Sequence, residues 1–133
     1  MSDDSRSAFS FQDLIVWQRS VEFAKAVIGL IDRMGTPRKH YRLVEQLEAA
    51  ATSVAMNISE GKGRQTAKEF SQFLYIARGS LFEVVTLLII FVRVGWVEEE
   101  ELRRMEAIAE EIVKMINSLI KSMRSPNHLA GRM

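Results

Sequence analysis

The sequence predicts an all-α fold, an up-down-up-down antiparallel four-helix bundle. Three observations carry this. Apolar residues recur in steps of three and four along most of the 133 residues, only two prolines interrupt them, and glycines fall where the periodic segments end. At this length one domain buries roughly two thirds of its unfolded surface and needs no covalent staple. The bundle is placed at residues 11–123, with residues 1–10 and 124–133 as disordered polar tails.

The first helix is expected to start near Asp13, whose carboxylate is suited to capping it. Leu14, Trp17, Val21, Ala24, Ile28 and Ile31 form its apolar stripe. Met34-Gly35-Thr36-Pro37 ends it, with Gly35 free to adopt a left-handed backbone and Thr36 with Pro37 opening the second helix as cap and first-turn residue.

The second helix extends to about Glu60, with Leu43, Leu47, Ala51, Val54 and Ile58 on one face. The small residues Ala49, Ala50, Ser53 and Ala55 around them imply a close neighbour. Gly61-Lys62-Gly63 is the expected stop. Thr66 and Glu69 then have capping-box spacing for the third helix.

The third helix is expected from Ala67 to about Val94, with Phe70, Phe73, Leu74, Ala77, Leu81, Val84, Leu88 and Val92 inward. From Val84 to Val92 it is apolar on nearly every side, more than the partners in a lone bundle can cover. Self-association through this stretch, with Val84 and Leu88 among the contact residues, is the consequence. Glu83 and Arg93 interrupt the apolar run from Leu81 to Val97, which falls short of the roughly 20 residues that span a bilayer, so no membrane insertion is expected.

Gly95 ends the third helix. The fourth starts near Val97 with Glu98 to Glu101 at the positive end of its dipole. Leu102, Met105, Ala109, Ile112, Ile116, Leu119 and Met123 supply its buried face.

The chemistry-bearing residues point away from catalysis. Cysteine is absent, which removes thiolate metal sites and thiol nucleophiles, and the two histidines, His40 and His128, lack a second ligand at helical spacing. No metal, no cofactor and no catalytic residues are expected, and the chain is read as a non-enzyme. The acidic, polar N-terminus lacks the features of a signal peptide, so a cytoplasmic location is expected. Gly61-Lys-Gly-Arg-Gln-Thr66 has neither the residue order nor the preceding strand of a phosphate-binding P-loop. Asn57, between Val54 and Ile58, and Glu60 are read as structural, tying the second helix to the next turn or to a neighbouring subunit. Gly61, Gly79 and Ser80 are read as packing residues, the last two as a place of close backbone approach.

The net charge is only +1, so any nucleic-acid site must be local. Arg38, Lys39, Arg42, Lys62, Arg64 and Lys68 outnumber Glu45, Glu48, Glu60 and Glu69 in the middle of the chain. From Val97 to Met123 the balance is reversed by seven glutamates. Those six cations are the candidate nucleic-acid contacts.

Several segments together resemble a known family. They are Asp13-Leu-Ile-Val-Trp-Gln18, Gln46-Leu47 followed by Ser53-Val-Ala-Met-Asn-Ile-Ser-Glu-Gly61, and Lys68-Glu-Phe-Ser-Gln-Phe-Leu-Tyr-Ile-Ala-Arg-Gly-Ser-Leu-Phe-Glu83. This pattern resembles the bacterial four-helix proteins encoded in intervening sequences of 23S ribosomal RNA genes, relatives of the accessory variability determinant of diversity-generating retroelements. The resemblance implies a homopentameric ring without catalytic activity. In the retroelement branch it further implies a basic surface that binds RNA or DNA and a partner reverse transcriptase. The sequence departs from the family pattern at Glu48 and Ala49, where paired arginines are common, and at His40, which precedes Tyr41. A protein-binding or self-assembling scaffold with no nucleic-acid role is the alternative reading.

Overall fold

The computed structural model describes residues 8–35 and 40–124. A short 3-10 turn, Ser10–Asp13, leads into α1 (Ile15–Arg33), α2 (Tyr41–Lys62), α3 (Ala67–Arg93) and α4 (Glu99–Arg124). No strand occurs among the described residues. Sequential helices pack side by side and α1 closes the bundle against α4, with α2 and α3 forming the most extensive pair. The expected tails lie almost wholly outside the described residues, as do Thr36 and Pro37; α2 starts later than expected, at Tyr41, with His40 and not Thr36 at the cap position. Arg124, assigned to the tail, completes α4.

Asp13 ends the 3-10 turn and does not cap α1. The cap position falls to Leu14, whose extended backbone makes no side-chain capping bond. The buried stripe of α1 is also turned by about one residue from the expected one, to Val16, Ser20, Phe23, Ala24, Val27 and Leu30, while Ile28 is exposed. Ser20 concealed this stripe. Its hydroxyl donates to the Val16 carbonyl at 2.7 Å, so a polar residue sits in the core at little cost.

The glycines act in three different ways. Gly35 and Gly63 do not have positive φ; α2 runs through Gly61 to Lys62, and Gly63 caps it with right-handed geometry. Gly61 is buried, and a Cβ there would lie 2.7 Å from Phe73 Cβ and 2.9 Å from Phe70 Cδ1. It therefore allows the start of α3 to close on the end of α2. Gly95 is the left-handed terminator, with φ +87. Its N–H donates to Val92 O and that of Trp96 to Phe91 O, the paired bonds of a Schellman motif. Trp96 packs on Phe91 with ring centroids 5.0 Å apart, and His40 lies 4.8 Å from Trp96 on another side, which ties the start of α2 to the end of α3.

Thr66 caps α3 as expected: its side chain accepts from the Glu69 N–H at 3.1 Å, and its hydroxyl lies 3.2 Å from Glu69 Oε1. Leu74, Ala77, Leu81, Val84, Leu88 and Phe91 form the fully buried face of α3, with Phe91 where Val92 was expected. By length and composition α3 is apolar enough to cross a membrane. Within the bundle one face of it joins the core, and 33% of its most apolar window is buried. In α4, Ile120 takes the deeply buried position expected for Leu119, which is half-buried.

Candidate nucleic-acid interface

The six candidate cations do not form one surface. Arg38 and Lys39 lie outside the described residues. Arg42 is exposed in the first turn of α2, while Lys62 is at its far end, about 30 Å away at 1.5 Å per residue. Lys62, Arg64 and Lys68 share the α2–α3 turn, where all three are exposed.

Arg64 is already engaged. Its guanidinium contacts Glu60 at 3.1 Å and sits 4.8 Å above the Phe73 ring. Lys62 and Lys68 have no carboxylate within salt-bridge distance among the described residues, so their charges remain available. The first amides of α3 face an internal acceptor, the Thr66 cap, with Glu69 beside it. A shallow depression of about 580 Å³ bounded by Met56, Ser59, Glu60, Gly63 and Arg64 adjoins the turn. The cluster can hold phosphate oxygens through Lys62 and Lys68, but it is not a closed pocket.

Three further cations escaped the sequence reading. Arg78 donates to Asn117 Oδ1 at 2.8 Å and stacks 4.9 Å from the Tyr75 ring, and Arg124 donates to the Tyr75 hydroxyl at 2.8 Å. Lys121 is exposed one turn before Arg124. These contacts bring the C-terminal end of α4 alongside the first half of α3, the same end of the bundle as Lys62 and Lys68. The signal was present in the charge order of α4, glutamates first and Lys114, Lys121 and Arg124 last. At the opposite end Arg33 and Arg104 are paired with Glu101 and Arg103 with Glu99, while Arg42 and Arg93 are exposed and form no salt bridge among the described residues.

The residues read as structural divide between core and surface. Asn57 is half-buried and donates Nδ2 to both the carbonyl and the hydroxyl of Ser53 at 2.8 Å; Ser53 in turn bonds Ser80 on α3 at 2.9 Å. Asn57 thus ties α2 to α3 and not to the following turn. Glu60 is an exposed ion-pair partner. Val84 and Leu88, expected at an intersubunit contact, are wholly buried inside the protomer. A helix with apolar residues on all sides still turns one face inward, and these two occupy it. The uncovered large hydrophobic side chains of α3 are Tyr75, Ile76, Phe82 and Ile90, with Val94 just after it and Met56 on α2. Apart from its chain neighbours and its own helix backbone, no atom of the described residues lies within 4 Å of a Cβ built on Gly79, so the expected close approach does not occur there inside the bundle.

No group of three or more metal-ligating side chains capable of holding a metal ion occurs among the described residues. An apolar cleft of about 540 Å³ on the α3–α4 face is lined by Leu81, Phe82, Val85, Thr86, Glu106, Ala109, Glu110 and Val113. It holds two carboxylates but no paired base or nucleophile.

Among solved structures, the chain is similar to a protein of unknown function from the S23 ribosomal protein family of Bacteroides thetaiotaomicron. The two share 26% identity with a TM-score of 0.74, over 80% of this chain and 99% of that one. No curated protein matches the chain. Residues 12–118 match the family model described as 23S rRNA-intervening sequence protein, and with most of the bundle inside that match, the chain belongs to this family.

Proposed function

We propose that this chain is a non-catalytic, cytoplasmic helical protein that assembles as a homo-oligomer, a pentameric ring, and binds RNA or DNA as an accessory factor, with a reverse transcriptase as its protein partner. The observation that carries the binding role is the uncompensated pair Lys62 and Lys68 at the α2–α3 turn. Repeated around a ring, a small cationic cluster becomes a continuous belt, and polyanion affinity rises with the number of phosphates met at once. The exposed Ile76, Ile90, Val94 and Met56, with Gly79 open between the first two, support the assembly role. They leave an apolar strip, interrupted by the exposed Glu83, on the α2–α3 side that a neighbouring copy would cover.

Electrophoretic titration with a structured RNA at two salt concentrations tests the binding reading. Salt-sensitive binding in the micromolar range that weakens in Lys62→Ala/Lys68→Ala is expected; salt-insensitive or absent binding overturns it. Light scattering tests assembly, and a monodisperse protomer mass near 15.2 kDa overturns the ring.

The scaffold reading, with no nucleic-acid role, draws on a specific feature: Arg64, at the centre of the cluster, is held by Glu60. Recovery of a dedicated protein partner that survives nuclease treatment favours it.

A further inference from the structure

The outer stripe of α4 that borders α3 has a charge order that reads the same when the helix is reversed and its signs are exchanged. Glu106, Glu110, Val113, Asn117, Lys121 and Arg124 follow in steps of three and four and so share one face. Glu106, Glu110 and Val113 line the apolar cleft with Phe82 and Val85, Asn117 bonds Arg78, and Arg124 bonds Tyr75, which places the whole stripe along the α3–α4 groove. Glu106 and Arg124 stand equally far on either side of Met115, and Glu110 and Lys121 nearly so. At the centre, Phe82 is 53% exposed above the cleft.

We propose that this groove is an isologous interface between two copies of the chain. The twofold axis lies at the level of Met115, the two α4 helices run antiparallel, and the two exposed Phe82 side chains come together beside the axis. An isologous contact requires every residue and its counterpart to complement each other across the axis. Here the acidic half of one stripe faces the basic half of the other: Glu106 meets Arg124 of the second copy and Glu110 meets Lys121. Each pair occurs twice.

The charged groups are available for this. Glu106 and Lys121 have no ion-pair partner among the described residues, Glu110 has only a 4.0 Å contact with Lys114 on its own helix, and Arg124 engages Tyr75 through Nη1 alone. A guanidinium has further N–H groups for a carboxylate. The contact is separate from the apolar strip assigned to ring assembly. Being closed and twofold, it doubles whatever assembly the other faces make.

Sedimentation velocity on the full chain at low salt tests the interface through two charge-reversed variants, Glu106→Lys/Glu110→Lys and Lys121→Glu/Arg124→Glu. Circular dichroism confirms that each is folded. Each variant alone carries a stripe of one sign, and association through the face should weaken about 100-fold, halving the wild-type mass. An equimolar mixture should recover it, because an all-positive stripe then meets an all-negative one. Phe82→Ser should weaken association without charge change.

Variants that sediment like the wild type, or a mixture that fails to regain the lost mass, overturn the proposal. A ring-sized wild type unaffected by either reversal leaves ring assembly standing and removes only this contact. Masses that do not respond while Lys121→Glu/Arg124→Glu weakens oligonucleotide binding assign the face to nucleic acid and likewise overturn it.

Discussion

Ser53 on α2 and Ser80 on α3 share a hydrogen bond of 2.9 Å across the most extensive helix pair in the bundle. Asn57 donates to the Ser53 hydroxyl, which also bonds Ser80, with either hydroxyl able to donate. The chain Asn57 to Ser53 to Ser80 thus satisfies polar groups that close helix packing would otherwise strand. Ser53→Ala and Ser80→Ala should each cost about 1 kcal/mol in urea unfolding. Because the two residues act as a pair, the double variant should fall short of additivity by about 0.5–1 kcal/mol. Strict additivity would show that the bond contributes nothing.

The two helical glycines Gly61 and Gly79 should respond oppositely to alanine. At Gly61 the new methyl would lie 2.7 Å from Phe73 Cβ, which is fixed to the α3 backbone and cannot swing aside. Overpacking costs about 1–3 kcal/mol and outweighs the roughly 1 kcal/mol gained in helix propensity, so the midpoint of denaturation should fall. At Gly79 nothing lies within 4 Å, and the propensity gain should appear nearly whole as about 0.5–1 kcal/mol of added stability in the protomer. A stable Gly61→Ala variant would disprove the close approach of α2 and α3 at that turn.

Helix ends provide a second contrast. Thr66→Ala removes the acceptor for the Glu69 N–H and should cost about 1 kcal/mol. Gly95→Ala forces a side chain into φ +87 and should cost about 1 kcal/mol or more. It should also shift Trp96 fluorescence, because the Schellman bonds that hold Trp96 on Phe91 depend on that backbone. An unchanged emission spectrum would count against that linkage.

Within α3, core and surface apolar residues should separate cleanly. Leu88 is 0% exposed, and Leu88→Ala should cost about 2–5 kcal/mol in protomer stability. Ile90 is 43% exposed, and Ile90→Ser should stay within about 0.5 kcal/mol while weakening assembly measured by light scattering. Equal losses of stability from both would contradict the inward and outward faces described.

The sequence by itself determined four helices and their order, and placed their limits to within a few residues. Periodicity, the Thr66 cap and Gly95 are local signals, and helix formation answers to local interactions first. It also determined the core of α2, because no polar residue interrupts Leu47, Ala51, Val54 and Ile58. In α1 the same reading turned the helix by about one residue, since Ser20 bonds its own backbone and enters the core, a fact visible only once the helices are packed together. Gly61 likewise resembles a terminator until Phe70 and Phe73 are seen packing on it.

Which surface charges gather was beyond sequence reasoning for a different reason. Lys68 and Arg124 are far apart along the chain, and only the antiparallel return of α4 brings their ends of the bundle together. Arg42 and Lys62, in the same helix, are held apart by its length. Helix rigidity separates neighbours in sequence, and chain reversal joins strangers, so the tertiary structure alone decided which cations share an end, and which side of α3 was left uncovered.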